Sequence, residues 1–255
     1  RHHITLVCGV LTLVFVFGIG LHSFEAVKET LSFHSIFVKE FWFTGGASHE
    51  TSTGINWATI FFILGMMVMV EGMARVGFFR WLCMRLAKMV NYKVKAIFIV
   101  FMIMSAILAM FIDSITVILF LATVTIELST LLKFNPLPMI LSEIFCANLG
   151  GSATMSGDPP NIIIGTSFGY SFTDFICNTG VIAGISLIFT LVFFYVAYRK
   201  ELKVSQTVDV STFPTPESAI TDKRGFVFST IIFITSIILL VTHANTGFSV
   251  ATIGV

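Results

Sequence analysis

The chain has 255 residues, of which 56% are hydrophobic and only 11% charged, with a formal net charge of +1 and a mean hydropathy of +0.94. A soluble domain carries about 25% charged residues, so this chain cannot cover a water-facing surface. Soluble enzymes, disordered chains and nucleic-acid binders are excluded, and the composition is that of an all-α polytopic membrane protein whose main partner is the lipid bilayer.

Ile4–Leu21 is a largely apolar run that reaches about 27 Å at roughly 1.5 Å per residue, enough for a membrane helix. His22–Asn56 follows with four Glu against two Lys, and Phe24, Val27, Leu31, Phe37 and Phe41 predict short helices lying in the membrane interface. Trp57–Met73 is the second apolar run. Met73–Lys95 alternates Arg75, Arg80, Arg85, Lys88, Lys93 and Lys95 with aromatic and aliphatic residues, the pattern of a helix flat on the membrane. Lys95–Leu132 is apolar but interrupted at Asp113-Ser114. Leu137–Tyr170 is apolar at both ends and broken by Gly and Pro in its middle. Phe172–Tyr198 and Phe226–Val241 are further runs, and Phe248–Val255 resembles the opening of another.

Eleven of the 15 Lys and Arg residues fall in 73–95 and 199–224, which places both loops in the cytoplasm. Parity then requires Lys95–Leu132 to begin and end on one side. Two crossings or a re-entrant hairpin satisfy this. The hairpin is favoured, because a carboxylate at its tip costs less in a polar protein cavity than in lipid. Cys8, Cys83, Cys146 and Cys177 share no ligand spacing and read as small buried apolar residues.

The chemistry-bearing segment is Ala147–Asn161, ANLGGSATMSGDPPN. Gly150, Gly151 and Gly157 permit close approach, while Pro159 and Pro160 remove backbone donors. A helix broken here frees carbonyls from its first half and amides at the start of its second, a pattern that transporters use for ions and polar substrates. Asn148, Ser152, Thr154 and Asn161 add neutral ligands. A kinked helix with self-satisfied polar groups is the bland alternative. Asp113, with Ser114 and Thr116, reads either as a helix cap or as a proton- or cation-binding carboxylate. Asp158 has the same two readings, with a cap on a half-helix starting at Pro159 as the plainer one. Glu71, Glu127, Glu143 and Asp174 lie nearer predicted segment ends and take interfacial or structural roles.

The segment ANLGGSATMSGDPPN resembles the signature of the arsenite-permease and NhaD-type sodium/proton-antiporter branch of the ion transporter superfamily, a citrate-transporter-like group that the P protein of pigment cells also resembles. Ile55–Gly77 and Ser105–Ile126 agree in order with it. The resemblance implies two inverted repeats, each with a re-entrant hairpin and a broken helix that meet at mid-membrane. Carried over by position, residues 1–198 form the first repeat without the family's first span. The hairpin falls at about 96–132 and the broken helix at about 137–170. Residues 199–224 become a cytoplasmic linker and 225–255 the truncated start of a second repeat. The site it implies comprises Asp113, Ser114, Thr116, Asn148, Gly150, Gly151, Ser152, Thr154, Asp158 and Asn161, with Ser114, Thr116, Asn148 and Thr154 as candidate sodium ligands. Such relatives carry Asp-Asn at the tip, where this chain has Asp113-Ser114.

The implied activity is secondary transport of a small ion or anion, coupled to Na+ or H+ by alternating access. No cofactor is called for, the remaining half of the transporter is the expected partner, and homodimers are common among relatives. A passive channel is an alternative. A membrane-embedded aspartyl hydrolase would use Asp113 and Asp158 as a dyad. Such proteases show Gly-x-Gly-Asp, whereas Met155-Ser156-Gly157-Asp158 lacks the first Gly, and the following Pro-Pro-Asn fits a broken helix better.

Overall fold

Interruptions in an apolar sequence set the architecture, because in lipid every backbone group released from a helix must find its partner within the protein. The computed structural model describes residues 2–16, 24–31, 33–37, 42–43, 55–202 and 215–254. Among these residues there are helices and turns and no strand.

α1 (His2–Leu13) and α2 (Phe24–Leu31) precede a 3-10 turn at Phe33–Phe37. The expected end of the first run at Leu21, and Phe41, lie outside the described residues. α3 (Trp57–Arg75) starts where the Asn56 side chain accepts from the Thr59 amide at 3.1 Å. Trp57 fixes the entry by donating Nε1–H to the Leu31 carbonyl at 2.6 Å and stacking on Phe33. α4 (Phe78–Met89) buries Phe79, Cys83, Met84 and Ala87 and exposes Arg80, Arg85 and Lys88. It is thus the amphipathic helix that its alternation predicts. Phe79 stacks on Phe120, and Arg80 forks onto Glu127, with Nη2–Oε1 at 2.5 Å and Nε–Oε2 at 3.2 Å.

α5 (Val94–Ala109) and α6 (Ser114–Leu132) are joined by the short turn 110–113. Lys133 ends α6 in the left-handed region, its amide donating to the Ser129 carbonyl. α7 (Leu137–Ser152) carries Pro138 in its first turn, where a missing amide costs nothing. After an irregular stretch, α8 (Pro159–Phe168) begins on a Pro pair and ends at Gly169. α9 (Phe172–Tyr198) opens with a reciprocal Ser171–Asp174 capping box and contains a π-turn at Ile176–Gly180. α10 (Lys223–Thr246) and α11 (Val250–Gly254) complete the described order.

α7 is the central element, packed against both arms of the α5–α6 pair and against α9. Ile97, Phe101, Met102, Leu121, Leu128, Met139 and Cys146 fill that core. A smaller cluster of Phe62, Met155, Ile162, Phe172 and Leu240 joins α3, the irregular stretch, α9 and α10. Cys83 and Cys146 are buried as expected. Cys8 and Cys177 are exposed, because each sits on an outward face of an apolar helix whose composition does not distinguish its sides.

α3, α6, α9 and residues 223–242 of α10 are long and apolar enough to cross a membrane, so the protein is an integral, multi-pass membrane protein. α5 and α7, with 16 residues each, and α8, with 10, are shorter.

The α5–α7 contact depends on Gly150, since a Cβ there would fall onto the Ala106 carbonyl. Gly150→Ala should destabilise the purified protein at the upper end of about 1–3 kcal/mol. Gly72→Ala, where a Cβ meets nothing within 4 Å, should not. Thermal unfolding midpoints in detergent check both.

Candidate functional site

Two chain interruptions lie against each other. The turn that closes α5–α6 packs into the irregular stretch between α7 and α8. Met110, at the C-terminal end of α5, has a carbonyl in the region where helices leave acceptors unpaired. Thr154 Oγ1 donates to that carbonyl, and Ser156 Oγ donates to it at 3.1 Å. Thr154 Oγ1 in turn accepts from the Gly157 amide at 3.2 Å. Gly157 has room for no side chain: a Cβ would meet the backbone of Gly151 and Ala109.

The break satisfies its own ends in the same manner. Asn161, in the first turn of α8, reaches back with Nδ2 to the Gly151 carbonyl at 3.1 Å and the Thr154 carbonyl at 3.0 Å. One amide thus ties the end of α7 and the irregular stretch to the start of α8.

Both carboxylates sit at helix N-termini. Asp113 caps α6 through Oδ2, accepting from the Thr116 amide at 2.9 Å. Asp158 occupies the N-cap position of α8 and makes no cap bond with its side chain. Its Oδ1 accepts instead from Ser114 Oγ at 3.0 Å, across the gap between hairpin and break. Gly151 lies so close that a Cβ would come within 2.5 Å of Asp158 Oδ2. The amide ends of α6 and α8 therefore converge on two acids, each placed where the helix dipole favours negative charge.

Asp113 and Ser156 also face a cleft walled by Phe62, Ile63, Met66, Met67 and Val70 of α3 and by Ile162 of α8. Its volume is about 30 Å³. That admits an ion or one or two waters, and is far below the roughly 300 Å³ that an organic ligand needs.

The electrostatics are one-sided. Between Lys95 and Arg199 the only base is Lys133, against Asp113, Glu127, Glu143, Asp158 and Asp174. Glu127 is paired to Arg80 and Asp174 serves its capping box. Among the described residues no cluster of three His, Cys, Asp or Glu side chains could hold a metal ion.

The structure thus brings together Asp113, Ser114, Thr116, Gly150, Gly151, Thr154, Asp158 and Asn161. Asn148 and Ser152 stand apart, exposed and bonded within their own helix, to the Ile144 and Leu149 carbonyls.

The model of the citrate transporter family, CitMHS, matches residues 2–255. The chain belongs to the citrate transporter family. Among curated proteins it is 37% identical over 131 residues to a 46 kDa membrane protein of Mycobacterium leprae, covering 51% of this chain and 30% of that protein. An uncharacterized transporter of Mycobacterium tuberculosis matches at the same identity and coverage. The human P protein is 34% identical over 110 residues, 43% of this chain and 13% of the P protein. The matched stretch therefore spans less than a third of each of these relatives. No solved structure matches.

One expectation is corrected. Glu143 does not lie at an interfacial segment end. It is mid-α7, 1% exposed, and enclosed by both hairpin arms. Its depth comes from the packing of α5 and α6 onto this face of α7, which the hydropathy run does not record. Ser105, the lone hydroxyl of α5, was the available signal; Thr125 is one of several hydroxyls on α6 and is not singled out by its sequence.

Asn161→Ala would leave two buried carbonyls without a donor. It should cost about 1–3 kcal/mol, read as a lower unfolding midpoint. Asn148→Ala, which removes only an exposed intrahelical bond, should shift it by less than about 0.5 kcal/mol.

Proposed function

We propose that this chain forms one repeat of a secondary transporter that moves a small organic anion of the citrate type across the membrane, coupled to H+ or Na+. Membership of the citrate transporter family supports that substrate class. The observation that carries the coupling is the meeting of two interrupted helix pairs around Asp113 and Asp158, with no base beside them. Two carboxylates, surrounding hydroxyls and carbonyls, and a cleft of ionic size form an environment for a cation or a proton.

In this reading α5–α6 is a re-entrant hairpin and α7–α8 a broken membrane helix, and residues 73–95 and 199–224 face the cytoplasm. Further segments of the transporter would complete the anion site, and the exposed Asn148 and Ser152 would face them. Alternating access would remake the contact between hairpin and break, which in this arrangement is held by the bonds of Met110 and Ser114. A hydrolase reading is weaker, because Asp113 and Asp158 are each engaged by a different donor instead of facing one another.

Uptake of labelled citrate into vesicles under imposed pH or sodium gradients tests the function. In the full-length transporter, Asp158→Asn and Asp113→Asn should each reduce gradient-driven uptake at least about tenfold, equivalent to 1.4 kcal/mol or more, while the purified protein stays folded. Uptake with unchanged pH and sodium dependence in both variants would reduce the two acids to helix caps.

Topology has its own check. Cysteines placed at residues 95 and 133 should be modified from the cytoplasmic side by an impermeant maleimide. Modification of position 133 from outside would mean that α5–α6 crosses the membrane an odd number of times, and would overturn both the hairpin and the assigned orientation.

A further inference from the structure

Glu143 is the buried acid that neither the hairpin tip nor the break uses. Thr125 of α6 donates to its Oε1 at 2.7 Å, and Ser105 of α5 donates to its main-chain carbonyl at 2.7 Å. Both arms of the hairpin therefore grip α7 at this residue. Oε2 is buried and has no hydrogen-bond partner.

Among the described residues, the groups around it offer no counter-charge. From α4 comes the buried thiol of Cys83, and from the next turn of α7 the buried thiol of Cys146. α5 presents the Ser105 hydroxyl, its one base, Lys95, being exposed about 15 Å away along the helix axis. α6 presents Thr125, and its acid Glu127 is held by Arg80 at the exposed edge. α9 packs on α7 through Phe194 against Phe145; its titratable groups are Asp174, held in the capping box with Ser171, the exposed Cys177, and Tyr195 and Tyr198.

An ionised carboxylate with an unpartnered oxygen and no cation is costly to bury, whereas the neutral acid avoids most of that cost. A purely structural group here would serve better as an amide or an aliphatic side chain. Intramembrane acids of this type mark proton pathways.

We propose that Glu143 is a proton-binding site, filled while α7 is clamped between α5 and α6 and emptied to water when the hairpin parts from α7. Its role in transport rests on the secondary-transporter reading above; its existence does not. Gly151 lies eight residues along the same helix, about 12 Å away. A hairpin movement that hydrates Glu143 therefore also displaces the break where Asp158 and Ser114 meet. Release of the proton leaves a carboxylate that opposes re-closure, and uptake of a proton permits it.

The test needs no transported substrate. Full-length protein in lipid vesicles, keeping Cys146 as its only cysteine, is followed by infrared spectroscopy and by maleimide labelling. A carbonyl band of a protonated, water-excluded carboxyl should be present at low pH, absent in Glu143→Gln and retained in Asp113→Asn. In the unmutated Glu143 background, the loss of the band with rising pH and the gain in Cys146 labelling should share one midpoint. Above it, Cys146 should react at least about tenfold faster than in Glu143→Gln at the same pH, a factor equal to one pH unit of linkage. Comparison at equal pH removes the intrinsic pH dependence of the thiol. A band that survives Glu143→Gln, or that never responds to pH, would overturn the proposal. So would labelling that is the same in both proteins. Should citrate uptake fail while these midpoints coincide, the transport reading falls and the proton site stands.

Discussion

Unpaired backbone carbonyls at helix ends are the constraint from which the rest follows. A helix that stops inside a membrane leaves acceptors that water cannot reach. Here the ends of α5 and α7 are both satisfied from residues 154–161. Thr154 and Ser156 serve the Met110 carbonyl, and Asn161 serves those of Gly151 and Thr154. The glycines follow from the same constraint. Bonds of this length require backbone against backbone, and Gly150, Gly151 and Gly157 stand where any side chain would hold the segments apart. The polar cluster is thus first a solution to a packing problem, and its chemistry is built from the donors that the solution leaves over.

Charge has a parallel logic. Acids are kept in the α5–α9 region and bases are almost absent from it. Asp113 and Asp158 are made tolerable by the amide ends of α6 and α8, and Glu127 by a guanidinium. Glu143 alone has neither a helix end nor a base. This sorting separates acids held at a helix end or by a base from one that has neither, within a single helical bundle.

Much of this was legible in the sequence because the signals are local. The Gly and Pro content of Ala147–Asn161 marks a break without reference to any neighbour, and α7 and α8 part there. Asp113-Ser114 marks a turn by interrupting an apolar run, and α6 begins at Ser114. The alternation of bases and aromatics over Phe78–Met89 becomes a helix with one buried face. What the sequence hid depends on rotation about a helix axis. In a uniformly apolar helix the hydrophobic pattern does not say which side faces protein. Asn148 and Ser152 accordingly turn outward although Gly150 and Gly151 between them turn in. Glu143 was misplaced for the same reason: its depth comes from the packing of α5 and α6, which no spacing within α7 records. The Cys8 and Cys177 thiols point outward by the same indeterminacy.

The Arg80–Glu127 fork joins a basic surface helix to the second arm of the hairpin. The fork uses the Nε–Nη2 edge of the guanidinium, and a phosphate headgroup matches that edge as well as a carboxylate does. Arg80 is half exposed, so lipid phosphates can approach from the side of α4 that Glu127 leaves open. A lipid phosphate on that edge would displace Glu127, and the hold of α4 on α6 would then depend on the headgroups of the surrounding leaflet. Bilayer composition would enter the energetics of the hairpin through a single side chain.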